Sequence, residues 1–107
     1  MERLTPAEEK VMLKLWKLEK AVVKEILECY PDPKPAYNTV STIVRILERK
    51  KFIKHKAVGR GFVYLPRVSM EQYRDVMAEN LLQDYFAGDR KELISYYNSK
   101  VSLSDML

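Results

Sequence analysis

The chain has 107 residues, room for one domain of about a hundred residues or for a small domain with an extension. Hydrophobic residues make up 47%, and the net charge of +4 is uneven: residues 1–68 hold 15 basic and 8 acidic side chains, and residues 69–107 hold 4 and 7. The single cysteine, Cys29, excludes an intrachain disulfide or a cysteine-built metal site, and its apolar neighbours favour a buried thiol. No apolar run is long enough for a membrane span or a signal peptide, so we expect a cytoplasmic protein.

Two helices are predicted in the first thirty residues. The segment Thr5-Pro6-Ala7-Glu8 has the form of a capping box with proline at the first helical position, which predicts a helix from there to about Leu18. A shorter helix should run from about Lys20 to Cys29. Three prolines between positions 31 and 35 then interrupt the helical pattern.

A third helix is predicted from Ala36 to Arg49, and its two faces differ sharply. Val40, Ile43, Val44 and Leu47 recur at the spacing of a single apolar stripe, which predicts the core face. The opposite side, which we call the polar face, has no carboxylate and consists of Asn38, Ser41, Thr42, Arg45 and Arg49. Amide and guanidinium groups can read base edges in the major groove, but an ordinary solvated helix face explains these residues equally well.

The spacing of apolar residues changes after residue 51 from the pattern of a helix to that of strands. Two strands, Phe52–Ala57 and Phe62–Leu65, are predicted to form a hairpin around Val58–Gly61. Its exposed face should carry Lys54 and Lys56, with Arg60 at the turn, next to the third helix. Residues 45–67 hold eight basic side chains and one acid, a density typical of a surface that binds a polyanion. The lone histidine, His55, is interpreted as a strand-face residue because no second metal-ligand cluster accompanies it.

The last 39 residues predict two more helices, one starting after the N-cap Ser69 and stopping at Gly88, and one starting after Asp89. Their apolar surface needs a partner, either a second copy of the chain or the chain itself, and self-association is the simpler interpretation. The residues assigned to this dimer interface are Met70, Tyr73, Met77, Leu81, Tyr85, Phe86, Leu93, Ile94 and Tyr97.

Several kinds of motif are missing from the sequence. It has no glycine-rich phosphate loop, no Ser/His/Asp or Cys/His arrangement, and no paired carboxylates among apolar residues. We therefore expect neither an enzyme nor a bound cofactor or metal.

Three segments in order resemble the penicillinase-repressor family of bacterial transcriptional repressors. They are the N-terminal signature Leu4-Thr5, Ala7-Glu8, Val11-Met12 and Leu15-Trp16; the segment Ala36-Tyr37-Asn38-Thr39-Val40-Ser41-Thr42 with Arg45 and Leu47; and Phe52-Ile53 followed by Gly59-Arg60-Gly61-Phe62-Val63-Tyr64. The resemblance implies a mainly α fold, in which a winged helix-turn-helix domain (1–68) with a β-hairpin wing precedes helical dimerisation residues (69–107).

The resemblance also implies a homodimer that represses transcription from a dyad-symmetric operator in double-stranded DNA, in a resistance or stress-response gene. The DNA contacts it implies lie on the third helix and the wing. They are Tyr37, Asn38, Thr39, Ser41, Thr42, Arg45, Lys54, Lys56 and Arg60, and the polar face of the third helix adds Arg49 to the predicted contacts.

Two departures from the family pattern concern regulation. Copper-responsive members have a C-terminal cysteine cluster that this chain lacks. Members that respond to β-lactams are cut by a membrane sensor protease at an Asn–Phe bond, and here Asn80 is followed by Leu81. The alternative function is a winged-helix module that binds another protein through its apolar C-terminal helices.

Overall fold

Five helices and one hairpin form the part of the chain that the structure describes, a computed structural model giving the backbone of residues 1–106 and the side chains of residues 1–100. They are α1 (Pro6–Leu18), α2 (Val23–Glu28), α3 (Tyr37–Arg49), β1 (Ile53–Val58), β2 (Gly61–Pro66), α4 (Met70–Phe86) and α5 (Arg90–Met106). This order is the predicted one, a winged helix followed by two further helices. Two compact units divide after Gln72, inside α4. No helix in the described range is long and apolar enough to span a membrane.

The start of α1 is the predicted capping box. The Thr5 hydroxyl accepts the backbone N–H of Glu8 at 3.2 Å, and the Glu8 carboxylate accepts the backbone N–H of Thr5 at 2.9 Å. Proline has no backbone N–H, so the start of this helix has three N–H groups without an intrahelical partner, and the capping box satisfies two of them. This fixes the helix to start at Pro6.

The core of the first unit is built from one face of each of its three helices and the start of the hairpin. Its fully buried side chains are Val11, Met12, Leu15, Ile26, Val40, Val44, Leu47 and Ile53. Burying each such side chain contributes roughly 1.5–3 kcal/mol. The predicted stripe of α3 is confirmed, with Ile43 at its half-buried margin.

The second helix is shorter than predicted, because it begins only at Val23, after a bend at Lys20 and a bridge residue at Ala21. Ala21 and Tyr64 exchange two backbone hydrogen bonds, of 3.0 and 2.8 Å, so Ala21 pairs with β2 instead of entering the helix. The N–H of Val22 then donates to the Glu25 carboxylate at 2.9 Å, and α2 begins at Val23. A tertiary strand contact therefore overrides a sequence that suits a helix.

The predicted burial of Cys29 is wrong, because this side chain is exposed. The helix ends at Glu28, and Cys29 is its C-cap. The apolar stripe of α2 is carried by Val23 and Ile26, and Cys29 would extend it only if another helical turn followed.

The hairpin is tighter than predicted. Val58 pairs with Gly61, so both belong to the strands and only Gly59 and Arg60 form the turn. Gly59 has φ +60°, and positive φ at the first of two turn residues fits a type II′ turn, whose twist matches that of the strands.

In the second unit, two caps separate the last two helices. Gly88, with φ +78°, donates its N–H to the carbonyl of Leu82 at 3.0 Å and ends α4. The Asp89 carboxylate accepts the N–H of Glu92 at 3.1 Å and starts α5. The predicted stop and start are both confirmed.

Candidate nucleic-acid interface

The polar face of α3 is open to solvent along the helix. Asn38, Thr42, Arg45 and Arg49 are exposed, and Ser41 is half-buried. The preceding residue, Ala36, provides no side-chain cap, and the first turn contains no acid. The positive end of the helix dipole is therefore not neutralised by a side chain of the helix itself.

The C-terminal end of α3 is anchored to the start of α1 by an ion pair. The ammonium of Lys50 lies 2.8 Å from Oε2 of the buried Glu8 and 3.2 Å from a carboxylate oxygen of Glu2. Burial opposes ionisation of Glu8, but its hydrogen bonds with Lys50 and Thr5 hold its pKa below the ordinary value. Lys50 belongs to the basic run of residues 45–67, yet its charge is already paired with carboxylates of the same chain.

The two faces of the hairpin have different roles. The register pairs His55 with Tyr64, and because side chains alternate, these two share a face with Phe62 and the buried Ile53. Lys54 and Lys56 project from the other face. Both lysines are exposed and Arg60 lies at the tip, as predicted, but the lysines project from the face opposite His55.

A groove of about 400 Å³ runs between α2, α3 and β2. Its lining is Val22, Val23, Lys24, Tyr37, Ser41, Arg45, Gly61, Phe62 and Tyr64. Two of these residues are cations and none is a carboxylate, and about half of the surface of Tyr37 and of Phe62 is exposed to solvent. Lys24 and Phe62 did not stand out in the sequence, where the only signals were an isolated charge and an aromatic residue in a strand.

One acid lies beside the polar face. Glu48 lines a second groove together with Thr42, Arg45 and Arg49. Its carboxylate contacts Nδ1 of His55. Burial and then the charge of Glu48 raise the pKa of the nearby Tyr64 hydroxyl, while Arg45 acts in the opposite direction. Glu48 thus adds a negative potential between α3 and the wing.

The family of the chain follows from a sequence comparison that covers nearly all of it. The model of the penicillinase repressor family matches residues 4–106. The chain belongs to the penicillinase repressor family. Members of this family are DNA-binding regulators of transcription and not enzymes, so the chain is a DNA-binding transcriptional repressor.

Solved structures support this assignment. The Bacillus licheniformis repressor BlaI, determined as a monomeric form in complex with the blaP half-operator, is 26% identical, with a TM-score of 0.56 over 67% of this chain and 89% of that chain. Bordetella bronchiseptica BpsR, described as regulated in DNA binding by 6-hydroxynicotinic acid, is 17% identical, with a TM-score of 0.56 over 97% of this chain and 77% of that chain. The second likeness shows the fold alone. No curated protein matches the chain.

The nine residues predicted for the repressor's dimer interface fall into three groups. Tyr73 is buried within the single chain, at 4% exposure, and therefore has little surface left for a partner. Met77, Phe86 and Leu93 are half-buried. The exposed members are Met70, Leu81, Tyr85, Ile94 and Tyr97. Tyr96, which the prediction omits, is also exposed, and its ring lies 5.5 Å from that of Phe86.

The predicted cleavage position of the repressor lies in the middle of a helix. Asn80 is half-buried and Leu81 is exposed, and both are within α4. Because backbone in a helix is held by hydrogen bonds along the chain, a protease reaches this bond only after local unwinding.

Proposed function

We propose that the chain is a homodimeric, sequence-specific repressor that binds a dyad-symmetric operator of a resistance or stress-response gene. The observation that carries this proposal is the exposed polar face of α3, which lies beside the hairpin and whose one neighbouring acid, Glu48, contacts His55 of the wing. Asn38 suits adenine and Arg45 suits guanine, and the short side chains of Ser41 and Thr42 allow close approach to the bases.

Backbone contacts would supply most of the affinity, through release of counterions from the phosphates. Tyr37 and Thr39 lie in the first turn of α3, at the end without a side-chain cap, and would contact phosphates. Arg49 and the wing residues Arg60, Lys54 and Lys56 are assigned to the backbone, the two lysines from the hairpin face opposite His55. Lys24 joins this set because it lines the same groove as Arg45.

The dimer part of the proposal is supported by exposed apolar side chains in α4 and α5. Leu81, Tyr85, Ile94 and Tyr97 are each between 44% and 72% exposed, although a single chain gains by burying such groups. A second copy would cover them symmetrically. The family resemblance further suggests a membrane sensor protease as partner, with Asn80–Leu81 as the bond that it would cut.

The test selects bound duplexes from a random-sequence pool and measures the mass of the complex by light scattering. We expect a dyad-symmetric consensus bound by two chains. Arg45→Ala should weaken binding to that consensus by about 5- to 150-fold, equivalent to roughly 1–3 kcal/mol, and relax one base position. Arg74→Ala, which removes the same charge from α4, serves as the control. Equal weakening of Arg45→Ala on cognate and random DNA would make Arg45 a phosphate contact.

A second function has one observation in its favour. Tyr85, Tyr96 and Tyr97 are exposed in residues 69–107, and tyrosine is enriched in protein interfaces. If the selection gives no consensus and the chain does not bind duplex DNA at moderate salt, a protein-interaction module becomes the better assignment.

A further inference from the structure

A polar contact joins the last turn of α3 to the first strand of the wing. The Glu48 carboxylate, which can only accept hydrogen bonds when ionised, contacts Nδ1 of His55. The contact is partly shielded, since the side chain of Glu48 is 30% exposed and that of His55 is 41% exposed. Glu48 is also the only acid among residues 45–67.

The imidazole of His55 is fixed from its other side by aromatic rings. Its centroid lies 4.7 Å from that of Phe62 and 6.1 Å from that of Tyr64, in edge-to-face geometry. The backbone of Tyr64 is in turn bonded to Ala21 through two hydrogen bonds. One continuous set of contacts therefore runs from α3 through both strands of the wing to the segment before α2.

A small rotation of the hairpin at the contact between Glu48 and His55 would move the tip of the wing by a larger distance. Arg60 is five residues beyond His55, or about 17 Å at roughly 3.4 Å per residue. A rotation of about 10° at His55 would move the tip by about 3 Å, the difference between a hydrogen bond to a phosphate and none. The wing is also held by the N–H of Phe52, which donates to the carbonyl of Leu47 at 2.9 Å at the base of the hairpin, and by the backbone pair of Ala21 and Tyr64.

We propose that Glu48 and His55 form a positioning bridge, which sets the angle of the wing relative to α3 so that Arg60 reaches the DNA backbone. The bridge also gives the Glu48 carboxylate a partner, and without one this carboxylate beside the polar face would repel phosphates. The inference rests on the proposed placement of α3 and the wing on duplex DNA. Both residues are positioning residues, since neither needs to touch a base.

The experiment measures coupling between Glu48 and Arg60, which are too far apart along the hairpin to interact directly. The readout is the slope of log affinity against log salt for the selected operator. Arg60→Ala should lower this slope by about 0.9, the share of one phosphate. In a Glu48→Ala background the same substitution should change the slope by less than half as much. Glu28→Ala, which removes an exposed acid from α2, should leave the full effect of Arg60→Ala.

Two conservative variants separate positioning from packing. Glu48→Gln keeps an oxygen that accepts from Nδ1, so in this background Arg60→Ala should lower the slope by as much as in the parent. His55→Phe keeps an aromatic ring beside Phe62 and Tyr64 and removes the nitrogen. In this background, as in Glu48→Ala, Arg60→Ala should change the slope by less than half as much as in the parent. Because Glu48→Ala and His55→Phe each remove a different partner of the contact, the test still works if one of them lowers stability.

The outcomes distinguish this inference from the proposed function. An equal slope change from Arg60→Ala in the parent and in Glu48→Ala refutes the bridge while leaving the repressor function intact. If Arg60→Ala still lowers the slope by its full amount in the His55→Phe background, ring packing sets the wing angle and the bridge is refuted. No slope change from Arg60→Ala in the parent refutes the placement of the wing on DNA, and the bridge with it.

Discussion

Replacing Glu8 tests whether its link to Lys50 holds the end of α3 in place. Glu8 closes the capping box of α1 and receives the Lys50 ammonium at 2.8 and 3.1 Å. Glu8→Gln keeps the capping box, since glutamine is equally suited to its last position, and removes only the ionic part of the link. Glu8→Ala removes both.

The expected losses follow from these contacts. A hydrogen bond to a charged group contributes about 1.5–3 kcal/mol, and the Lys50 side chain is 31% exposed, so we discount this for solvent and expect Glu8→Gln to cost about 1 kcal/mol. Loss of the cap should raise the cost of Glu8→Ala to about 2 kcal/mol. In a unit of this size these losses correspond to roughly 4–16 °C in Tm.

The effect should depend on pH with a defined sign. Because the pKa of Glu8 is lowered from 4.5 in the folded chain, its contribution is present above about pH 4.5 and is lost as the pH falls through the folded value. The difference in unfolding free energy between the parent and Glu8→Gln should therefore close in acid.

The assay is urea unfolding followed by circular dichroism at pH 7 and at pH 3, with Glu9→Gln as the control. Glu9 lies in the same turn of α1 and is exposed, so this variant should change stability by only a few tenths of a kcal/mol. A difference between parent and Glu8→Gln that stays constant with pH, or one that Glu9→Gln reproduces, would refute the role assigned to the ion pair.

Three further expectations concern the wing, the second unit and the basic run. Gly59→Ala should lower stability by about 1 kcal/mol because Gly59 has positive φ, whereas Gly61→Ala, with open space and no positive φ, should leave the unfolding midpoint nearly unchanged. Tyr85→Asp should shift the mass in light scattering towards the monomer, and Gln83→Asp, which adds the same charge two residues away, should not; equal shifts would remove Tyr85 from the proposed interface. Lys50→Met should preserve the salt slope of DNA binding, and a fall of about one phosphate's share would show that Lys50 is free to contact DNA.

Much of the fold was predictable because its signals are local. The capping box at Thr5, the glycine at position 88 and the change of period after residue 51 each depend on residues close together in sequence. The stripe of α3 was equally clear, since Val40, Val44 and Leu47 alternate with polar residues at helical spacing. These elements agree with their tertiary environment, so local and global preferences coincide.

The start of α2 was predicted wrongly because a distant contact decides it. Ala21 is in a segment that suits a helix, but its backbone pairs with Tyr64, which is 43 positions further along the chain. Contacts in the candidate site could not be predicted for the same reason. Glu48 and His55 looked unrelated in sequence, and only the return of the chain after α3 brings them into contact. Lys24 joins the groove for the same reason.

The exposure of Cys29 makes the geometry of the operator complex measurable. It is the only thiol in the chain and it is accessible, so a spin label attached there would occupy one position per chain. A monomer carrying one label yields no label-to-label distance, whereas two labelled chains on one duplex yield a single distance between their first units. For the proposed dimer on a dyad-symmetric operator, that distance would report how far apart the two half-sites hold the proteins.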